Sequence, residues 1–311
     1  MTRLSRAGDG SGAAGEWVTI AGVPVDHVVR LIDGRNLSIR VWGTEGPATV
    51  FSHGTPDARL VGPVDPNVLS GRGLRLITVD RPGYGGSSPH ATSPLTVAHD
   101  MVAALDHLGI ERVVSAGWSA GGVFALALAA VAPHRISEVR LVAPVFPMER
   151  ATDAAQFPAD LARSSRLLHR LHLPPRLLRP ILRIGLARQI RSDRENPSAR
   201  LESLRAGERA VVDRHPGLDE QIVSARVDAL RQSGRGWIAG VVWMLRPPPF
   251  AYADVACPVT IWHGDRDEAI QPAASQRWAQ QLANVNVITV PDAGHLVVHD
   301  LWASLTAAPA G

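Results

Sequence analysis

Short apolar runs alternate with helix-prone stretches along the first half of the chain, and this alternation restricts the possible folds more than any other feature. The runs cover residues 48–52, 74–79, 112–116 and 138–143, and each is followed by a glycine, a proline or a polar residue. Residues 94–108 place apolar side chains at helical spacing between two of these runs. Strands that are apolar throughout are typical of parallel sheets covered on both faces. The sequence therefore predicts an α/β fold.

Two further patterns divide the chain. Residues 27–32 and 37–42 flank an Asp33-Gly34 turn and predict an N-terminal hairpin. From residue 145 to 249 the strand pattern gives way to segments rich in Leu and Arg and interrupted by prolines. Strand-like runs resume at 259–262 and 286–290, and a short helix is expected near 299–305. We predict a flexible leader over 1–22, a core made of 23–144 and 250–311, and a helical cap over 145–249.

Composition excludes several classes of protein. The chain is 45% hydrophobic and 20% charged, which is the balance of a soluble globular protein. It has no apolar run long enough for a transmembrane helix and no apolar signal segment near its start, so a cytoplasmic location is expected. The single Cys257 cannot form an internal disulfide and has no neighbouring cysteine at metal-ligand spacing. A net charge of +3 without a nucleic-acid-binding motif predicts no nucleic-acid partner.

The segment Gly117-Trp118-Ser119-Ala120-Gly121 fits the pattern G-x-S-x-G between an apolar run and a helix-prone run. In that setting a sharp turn from strand to helix exposes the serine hydroxyl, and small residues on both sides make the turn sterically possible. The following helix directs free backbone N–H groups to the same point. We predict that Ser119 is a nucleophile and that the Ala120 N–H binds an oxyanion. Alternatively, the segment is only a linking turn.

Two other loops follow predicted strands. His53-Gly54-Thr55-Pro56 comes after the run 48–52, and the Thr55 N–H is our candidate for a second oxyanion donor. His53 is expected to brace this loop by hydrogen bonding rather than to touch the reacting bond. The loop 80–88 has no helix start and no Lys-Ser/Thr pair, so it is interpreted as a structural turn rather than a phosphate-binding loop.

A weakly nucleophilic serine needs an imidazole base and a carboxylate that orients it. The loop after 259–262 offers Asp265, Asp267 and Glu268. Asp267 is favoured because Asp265 lies within the turn, where a short carboxylate usually binds local N–H groups, and Glu268 is the third choice. His295 follows the run 286–290 after small residues and is the predicted base. The order Ser, Asp, His is the one expected for this architecture.

The segments HGTP, DRPGYGGSS, GWSAGG, HGDRDEAIQP and DAGH together resemble the α/β-hydrolase superfamily. The resemblance implies an eight-stranded, mostly parallel sheet with a cap after the sixth strand, and neither a metal nor an organic cofactor. It implies the roles of nucleophile for Ser119, acid for Asp267 and base for His295, with oxyanion amides at Thr55 and Ala120. Haloalkane dehalogenases and epoxide hydrolases of this superfamily have an aspartate as the nucleophile, whereas this sequence has a serine. Its HGTPD segment also differs from the HGGPG of proline iminopeptidases.

These features predict a serine hydrolase that cleaves a carboxylic ester of a small-molecule acyl substrate. Two alternatives remain open: hydrolysis of a C–C bond in a β-diketone or ring-cleavage product, and a non-catalytic ligand-binding role. Possible substrate-pocket residues are His53, Trp118, Trp237 and Trp243, and packing in the core is an equally good interpretation of Trp237 and Trp243. Residues 161–215 contain thirteen Arg, no Lys and five acidic residues. This cationic cap is either a solvated surface or a contact site for anionic substrates, membranes or carrier proteins.

Overall fold

A computed structural model describes residues 23–43, 45–65 and 67–309, and the predicted leader over 1–22 lies outside the described residues. The described strands form one eight-stranded sheet in the order β1-β2-β4-β3-β5-β6-β7-β8. Their bounds are β1 Val25–Arg30, β2 Asn36–Trp42, β3 Ala48–Ser52, β4 Arg75–Val79, β5 Val113–Trp118, β6 Ile136–Val142, β7 Val259–Gly264 and β8 Val285–Val290. Strand β2 is antiparallel to β1 and β4, and the remaining pairs are parallel. The predicted sheet is therefore confirmed.

Helices cover both faces of the sheet. The core helices are α1 Asn67–Ser70, α2 Pro94–His107, α3 Gly122–Val131, α10 Ala273–Gln281 and α11 Trp302–Thr306. Neighbouring residues of β3 point to opposite faces, so Val50 belongs to the apolar cluster under α2, α3 and α10, whereas Phe51 belongs to the cluster that contains α1 and α11. Helix α2 starts where the sequence predicts, because the Ser93 hydroxyl accepts the N–H of Thr96.

The segment between β6 and β7 is helical, as its pattern predicts, and its described residues include no strand. Its helices are α4 Ala159–Arg170, α5 Pro175–Glu195, α6 Ala199–Glu202, α7 Ala206–Arg214, α8 Leu218–Leu230 and α9 Arg235–Met244. Arg59 of the core forms an ion pair of 2.5 Å with Asp228 of α8. Gln232 donates to the carbonyl oxygens of Gly85 and Ser87 in the loop after β4. These bonds hold the helical segment over the carboxyl ends of the parallel strands.

The C-terminal segment differs in one detail from the sequence-based expectation. A 3-10 helix covers His295–Asp300, and α11 begins only at Trp302 rather than near His299. The indole N–H of Trp118 donates to the carbonyl oxygen of His295 at 3.0 Å. This contact ties the start of the 3-10 helix to the end of β5, and α11 follows the 3-10 helix after Leu301.

Within the described residues, no helix is both long enough and apolar enough to cross a membrane.

Candidate active site

Ser119 stands at the turn between β5 and α3 with a φ of +55°, a left-handed conformation that is uncommon for a residue with a side chain. The two glycines of the motif make this turn possible. A Cβ added to Gly117 would lie 2.7 Å from the carbonyl oxygen of Gly121, and a Cβ added to Gly121 would lie 2.0 Å from that of Ser52. Both positions therefore require glycine, because the turn folds back on itself and against β3.

Asp267 and His295 meet across the ends of β7 and β8. The Nδ1 atom of His295 is 2.7 Å from Oδ2 of Asp267, while Oδ1 of Asp267 accepts the N–H groups of Ala269 and Ile270 at 2.9 Å each. Burial alone would raise the pKa of Asp267, but the charge of His295 and these hydrogen bonds, with another from His263, hold that pKa well below its ordinary value. Asp267 is thus an ionised carboxylate that orients the His295 ring.

The close approach of the two loops depends on Gly264, the last residue of β7. A Cβ at this position would lie 2.1 Å from the carbonyl oxygen of Ala293, just before His295. The other candidate carboxylates take different places. Asp265 is exposed and its N–H donates to Val290 O, and Glu268 forms an ion pair with Arg205. The carboxylate brought to His295 is therefore that of Asp267.

Trp118 packs between the loop after β3 and the loop after β8, which carries His295. Its ring lies 5.4 Å from the imidazole of His295 between centroids, and a Cβ added to Gly54 would meet its six-membered ring at 3.1 Å. Trp118 thereby sets the spacing between the loop after β3 and the loop after β8, on either side of Ser119.

The loop after β3 is held from beneath by Arg81, whose role was missed when residues 80–88 were interpreted only as a structural turn. Arg81 is 1% exposed, and its guanidinium donates to the carbonyl oxygens of His53 and Gly54 and to Oγ1 of Thr55. It also stacks on the ring of Tyr84, with 5.0 Å between the guanidinium carbon and the ring centroid. Arg81 is the second residue after the apolar run 74–79, and no local pattern there signals a contact with the loop at His53.

Two of the four predicted pocket residues lie outside the cavity beside Ser119. His53 is fully buried, and its Nδ1–H donates to the carbonyl oxygen of Gly54 at 2.7 Å, which fits the expected brace. Trp243 donates its indole N–H to the carbonyl oxygen of Thr92 at 2.5 Å. That bond turns Trp243 toward the core loop before α2 instead of the cavity. Trp118 and Trp237 therefore line the cavity, whereas His53 and Trp243 do not.

A cavity of about 550 Å³ lies between the helical segment and the core, and Ser119, His295, Thr55 and Ala120 line it. The helical segment contributes most of the apolar side chains that line it, namely Val145, Phe157, Leu161, Leu168, Ile181, Leu182, Leu186, Ile222, Trp237, Val241, Met244 and Leu245. A pocket of this size and character suits a small molecule with an apolar portion.

The α8 wall of the cavity is polar. Gln221 and Arg226 both line it, and the Oε1 atom of Gln221 and the Nε atom of Arg226 are buried without a hydrogen-bond partner among the described residues. The Nη2 group of Arg226 donates to Asp193 on α5 at 2.6 Å. Asp57, which follows Pro56, is the acidic residue on the cavity wall. The Gln221 and Arg226 side chains give the cavity a polar region where a polar group of a ligand can bind.

Among the residues that the structure describes, no group of three or more His, Cys, Asp or Glu side chains is arranged to hold a metal ion.

Known proteins resemble this chain in sequence and in fold. Over 116 residues it is 33% identical to epoxide hydrolase 3 of Siraitia grosvenorii, a match that spans only 36% of each protein. Over 228 residues it is 30% identical to the pimeloyl-[acyl-carrier protein] methyl ester esterase of Aromatoleum aromaticum, covering 72% of this chain and 81% of that enzyme. The bromoperoxidase of Bacillus anthracis superposes with a TM-score of 0.66 at 18% identity, over 90% of this chain and 97% of that one.

A family model described as "alpha/beta hydrolase fold" matches residues 50–300, which span the sheet from β3 to β8 and all the loops described above. Because this match covers most of the chain, the protein belongs to the alpha/beta hydrolase family.

Proposed function

We propose that the protein is a serine hydrolase that cleaves a carboxylic ester of a small molecule through an acyl-enzyme on Ser119. The observation that carries the proposal is one cavity lined by both Ser119 and His295, with the other side of the His295 ring 2.7 Å from the buried carboxylate of Asp267. A serine, an imidazole and a carboxylate in this order are the groups that acyl transfer needs.

In the first half of the reaction, Asp267 accepts the Nδ1–H of His295, which leaves Nε2 as the basic nitrogen. Nε2 takes the proton of the Ser119 hydroxyl while the oxygen attacks the ester carbonyl carbon. The carbonyl oxygen becomes an oxyanion, and the backbone N–H groups of Ala120 and Thr55 and the positive end of α3 stabilise it. Collapse of this intermediate breaks the bond to the alcohol, which leaves with the proton from Nε2.

In the second half, His295 takes a proton from water, and the resulting hydroxide attacks the acyl carbon on Ser119. The second oxyanion uses the same N–H groups, and its collapse returns the proton to the Ser119 oxygen and releases the carboxylic acid. The low pKa of Asp267 supports both steps, because an ionised carboxylate stabilises the imidazolium that forms each time.

The chemistry of serine favours an ester over an epoxide, although several relatives are epoxide hydrolases. If Ser119 opened an epoxide, the product would be an alkyl ether of the serine. An ether has no carbonyl carbon for water to attack, so the enzyme would not be released and turnover would stop. The match to epoxide hydrolase 3 also covers only about a third of that enzyme, whereas the match to a methyl ester esterase covers 81% of its relative. Ester hydrolysis is the reaction that the residues and the longer match both support.

The test is covalent labelling of the whole chain with a fluorophosphonate, read by intact mass, beside assays with p-nitrophenyl esters of short and long acids. We expect one adduct on the wild type and none on Ser119→Ala, with loss of ester turnover in the same variant. Ser115→Ala is the matched control, because Ser115 is also buried on β5 but donates its hydroxyl to the carbonyl oxygen of Ala125. Equal labelling of the wild type and Ser119→Ala, or a folded wild type that remains unlabelled, would refute the proposal.

A further inference from the structure

Helices α4 and α5 carry an unusual share of exposed aliphatic side chains. Eleven large hydrophobic residues are exposed in the part of the chain that the structure describes, and six of them lie on α4, on α5 or directly between them. The six are Leu161, Leu167, Leu171, Leu177, Ile181 and Ile184. Single exposed aliphatic residues are common, but a group confined to one pair of helices marks a contact surface.

The exposed aliphatic residues of α5 form a stripe that the fold itself does not use. Leu177, Ile181 and Ile184 recur at helical spacing, and Ile184 is 79% exposed. On the other side of the same helix, Leu178 and Leu182 are buried in the apolar cluster of the protein. Helix α5 therefore has one apolar side that packs inward and a second that faces outward.

The same two helices are strongly basic. Together they contain nine arginines and three acidic residues. Two of the three acids are already paired, Asp160 with Arg163 and Asp193 with Arg226 of α8. Exposed aliphatic side chains among arginines are the pattern of a helix that lies in the interface of an anionic lipid surface.

This surface surrounds an opening of the cavity that contains Ser119. Leu161 and Ser164 of α4 and Ile181 and Gly185 of α5 are exposed to solvent and also line that cavity. Residues that belong to both surfaces mark the place where the cavity reaches the outside, so the mouth lies between the two helices. A surface that bound α4 and α5 would face this mouth.

We propose that α4 and α5 dock the protein on an anionic phospholipid surface. The outer aliphatic side chains, such as Leu167, Leu177 and Ile184, enter the interface, and the arginines bind lipid phosphate groups. The cavity mouth then faces the lipid, so that a lipophilic ester can enter without crossing water. This last clause rests on the proposed function, whereas the docking itself does not.

A second copy of the chain is a poorer occupant of this surface. In a two-fold symmetric dimer the patch meets itself, so the arginines of one protomer would face those of the other. An acidic partner protein would match the charge of this surface. Protein–protein interfaces, however, usually depend on aromatic or arginine side chains that fill pockets, whereas the exposed hydrophobic residues here are all aliphatic and are spread over two helices. A lipid interface accepts scattered aliphatic side chains without a matching shape.

The test is flotation of the full chain with vesicles of phosphatidylcholine, with and without phosphatidylglycerol, at low and high salt. We expect binding to the anionic vesicles that weakens with salt, and Ile184→Glu should lower the partition constant by about tenfold or more, because it replaces an inserted aliphatic group with a negative charge. Ile32→Glu is the matched control: Ile32 is fully exposed on the β1–β2 turn, and its replacement should leave partition unchanged.

Three results would overturn the proposal: equal partition of Ile184→Glu and the wild type, no binding to anionic vesicles at low salt, or a wild-type dimer in sedimentation that Ile184→Glu abolishes. Partition is measured on Ser119→Ala as well, because docking should survive in that variant. Turnover of a water-soluble ester by Ile184→Glu should match the wild type, so failure of docking and failure of ester hydrolysis are read separately.

Discussion

Replacement of Arg81 with methionine should separate the support of the loop after β3, which carries the proposed oxyanion donor Thr55, from the chemistry of Ser119. The guanidinium donates to two buried carbonyl oxygens, those of His53 and Gly54, and to the Thr55 hydroxyl. Methionine keeps much of the side-chain volume and the contact with the Tyr84 ring, but it donates nothing. The change therefore leaves the carbonyl oxygen of His53 without its donor in the interior, whereas that of Gly54 keeps the Nδ1–H of His53.

The size of the effect follows from these contacts. Each buried carbonyl oxygen that loses its donor costs about 1–3 kcal/mol. Part of this loss is offset, because burial of the guanidinium is itself unfavourable and lowers the pKa of Arg81. Since only the His53 carbonyl oxygen is left without a donor, we expect the free energy of unfolding to fall by about 1–3 kcal/mol. A displaced Thr55 N–H would also weaken one oxyanion donor, which should lower kcat about a hundredfold with a smaller change in KM.

The assay combines urea unfolding with steady-state hydrolysis of a p-nitrophenyl ester. Arg140→Met is the matched control, since Arg140 is another buried arginine and donates to the carbonyl oxygens of Ser304, Leu305 and Ala307 near the end of the chain. Both variants should lose stability, but only Arg81→Met should lose kcat. If Arg81→Met were destabilised and kept the kcat of the wild type, the loop would hold its position without Arg81 and our reasoning would be wrong.

Three further predictions concern the cavity and its surroundings. Asp267→Asn should lower kcat/KM about a thousandfold or more and Asp265→Asn only slightly, because only the first removes the carboxylate from His295; similar losses would reassign the acid. Burial lowers the pKa of His299 to about 3, so the unfolded chain binds this proton first and stability falls as the pH drops below 6.5. In urea unfolding, His299→Phe should therefore lose about 2 kcal/mol less than the wild type between pH 7 and pH 5, and an unchanged slope would contradict this. Arg226→Met should lower kcat/KM about tenfold more for an ester with a terminal carboxylate or hydroxyl on the acyl chain than for its alkyl analogue, whereas Asp193→Asn should keep the wild-type ratio; equal losses on both esters would assign Arg226 a purely structural role.

The sequence reveals the elements at the centre of the sheet because their local pattern and their tertiary environment agree. The run at 48–52 contains no charged residue and consists of small, β-branched and aromatic side chains, and in the structure β3 lies between two parallel neighbours and is buried along its length. Ser119 could be placed for a similar reason: two glycines at fixed spacing are needed wherever a strand turns this sharply into a helix. Local sterics and burial leave traces in the sequence at these positions.

Contacts between distant segments leave weaker traces. Nothing in the residues around Arg81 shows that its side chain turns beneath the loop at His53, since that contact joins positions 28 apart through the packing of β3 beside β4. The position of Trp243 late in the cap suggests a pocket side chain, but its indole N–H needs a hydrogen-bond partner and donates to the carbonyl oxygen of Thr92. The orientation of a single aromatic ring depends on such a partner, which composition cannot identify.

The difference between these two groups of residues also separates what the chain does from what it acts on. The groups proposed for the chemistry follow β3, β5, β7 and β8, and parallel strands bring all of these loops to one edge of the sheet whatever covers it. The cavity wall instead comes from helices whose position over that edge depends on a few long-range bonds, such as those from Gln232 to the loop after β4. Substitutions at Gln221 and Arg226 change the lining of the cavity beside Ser119 without altering the strand ends. We therefore expect the reaction type to depend on the loops of the sheet and substrate choice on the helical segment, so variants on α8 should be the first to change specificity.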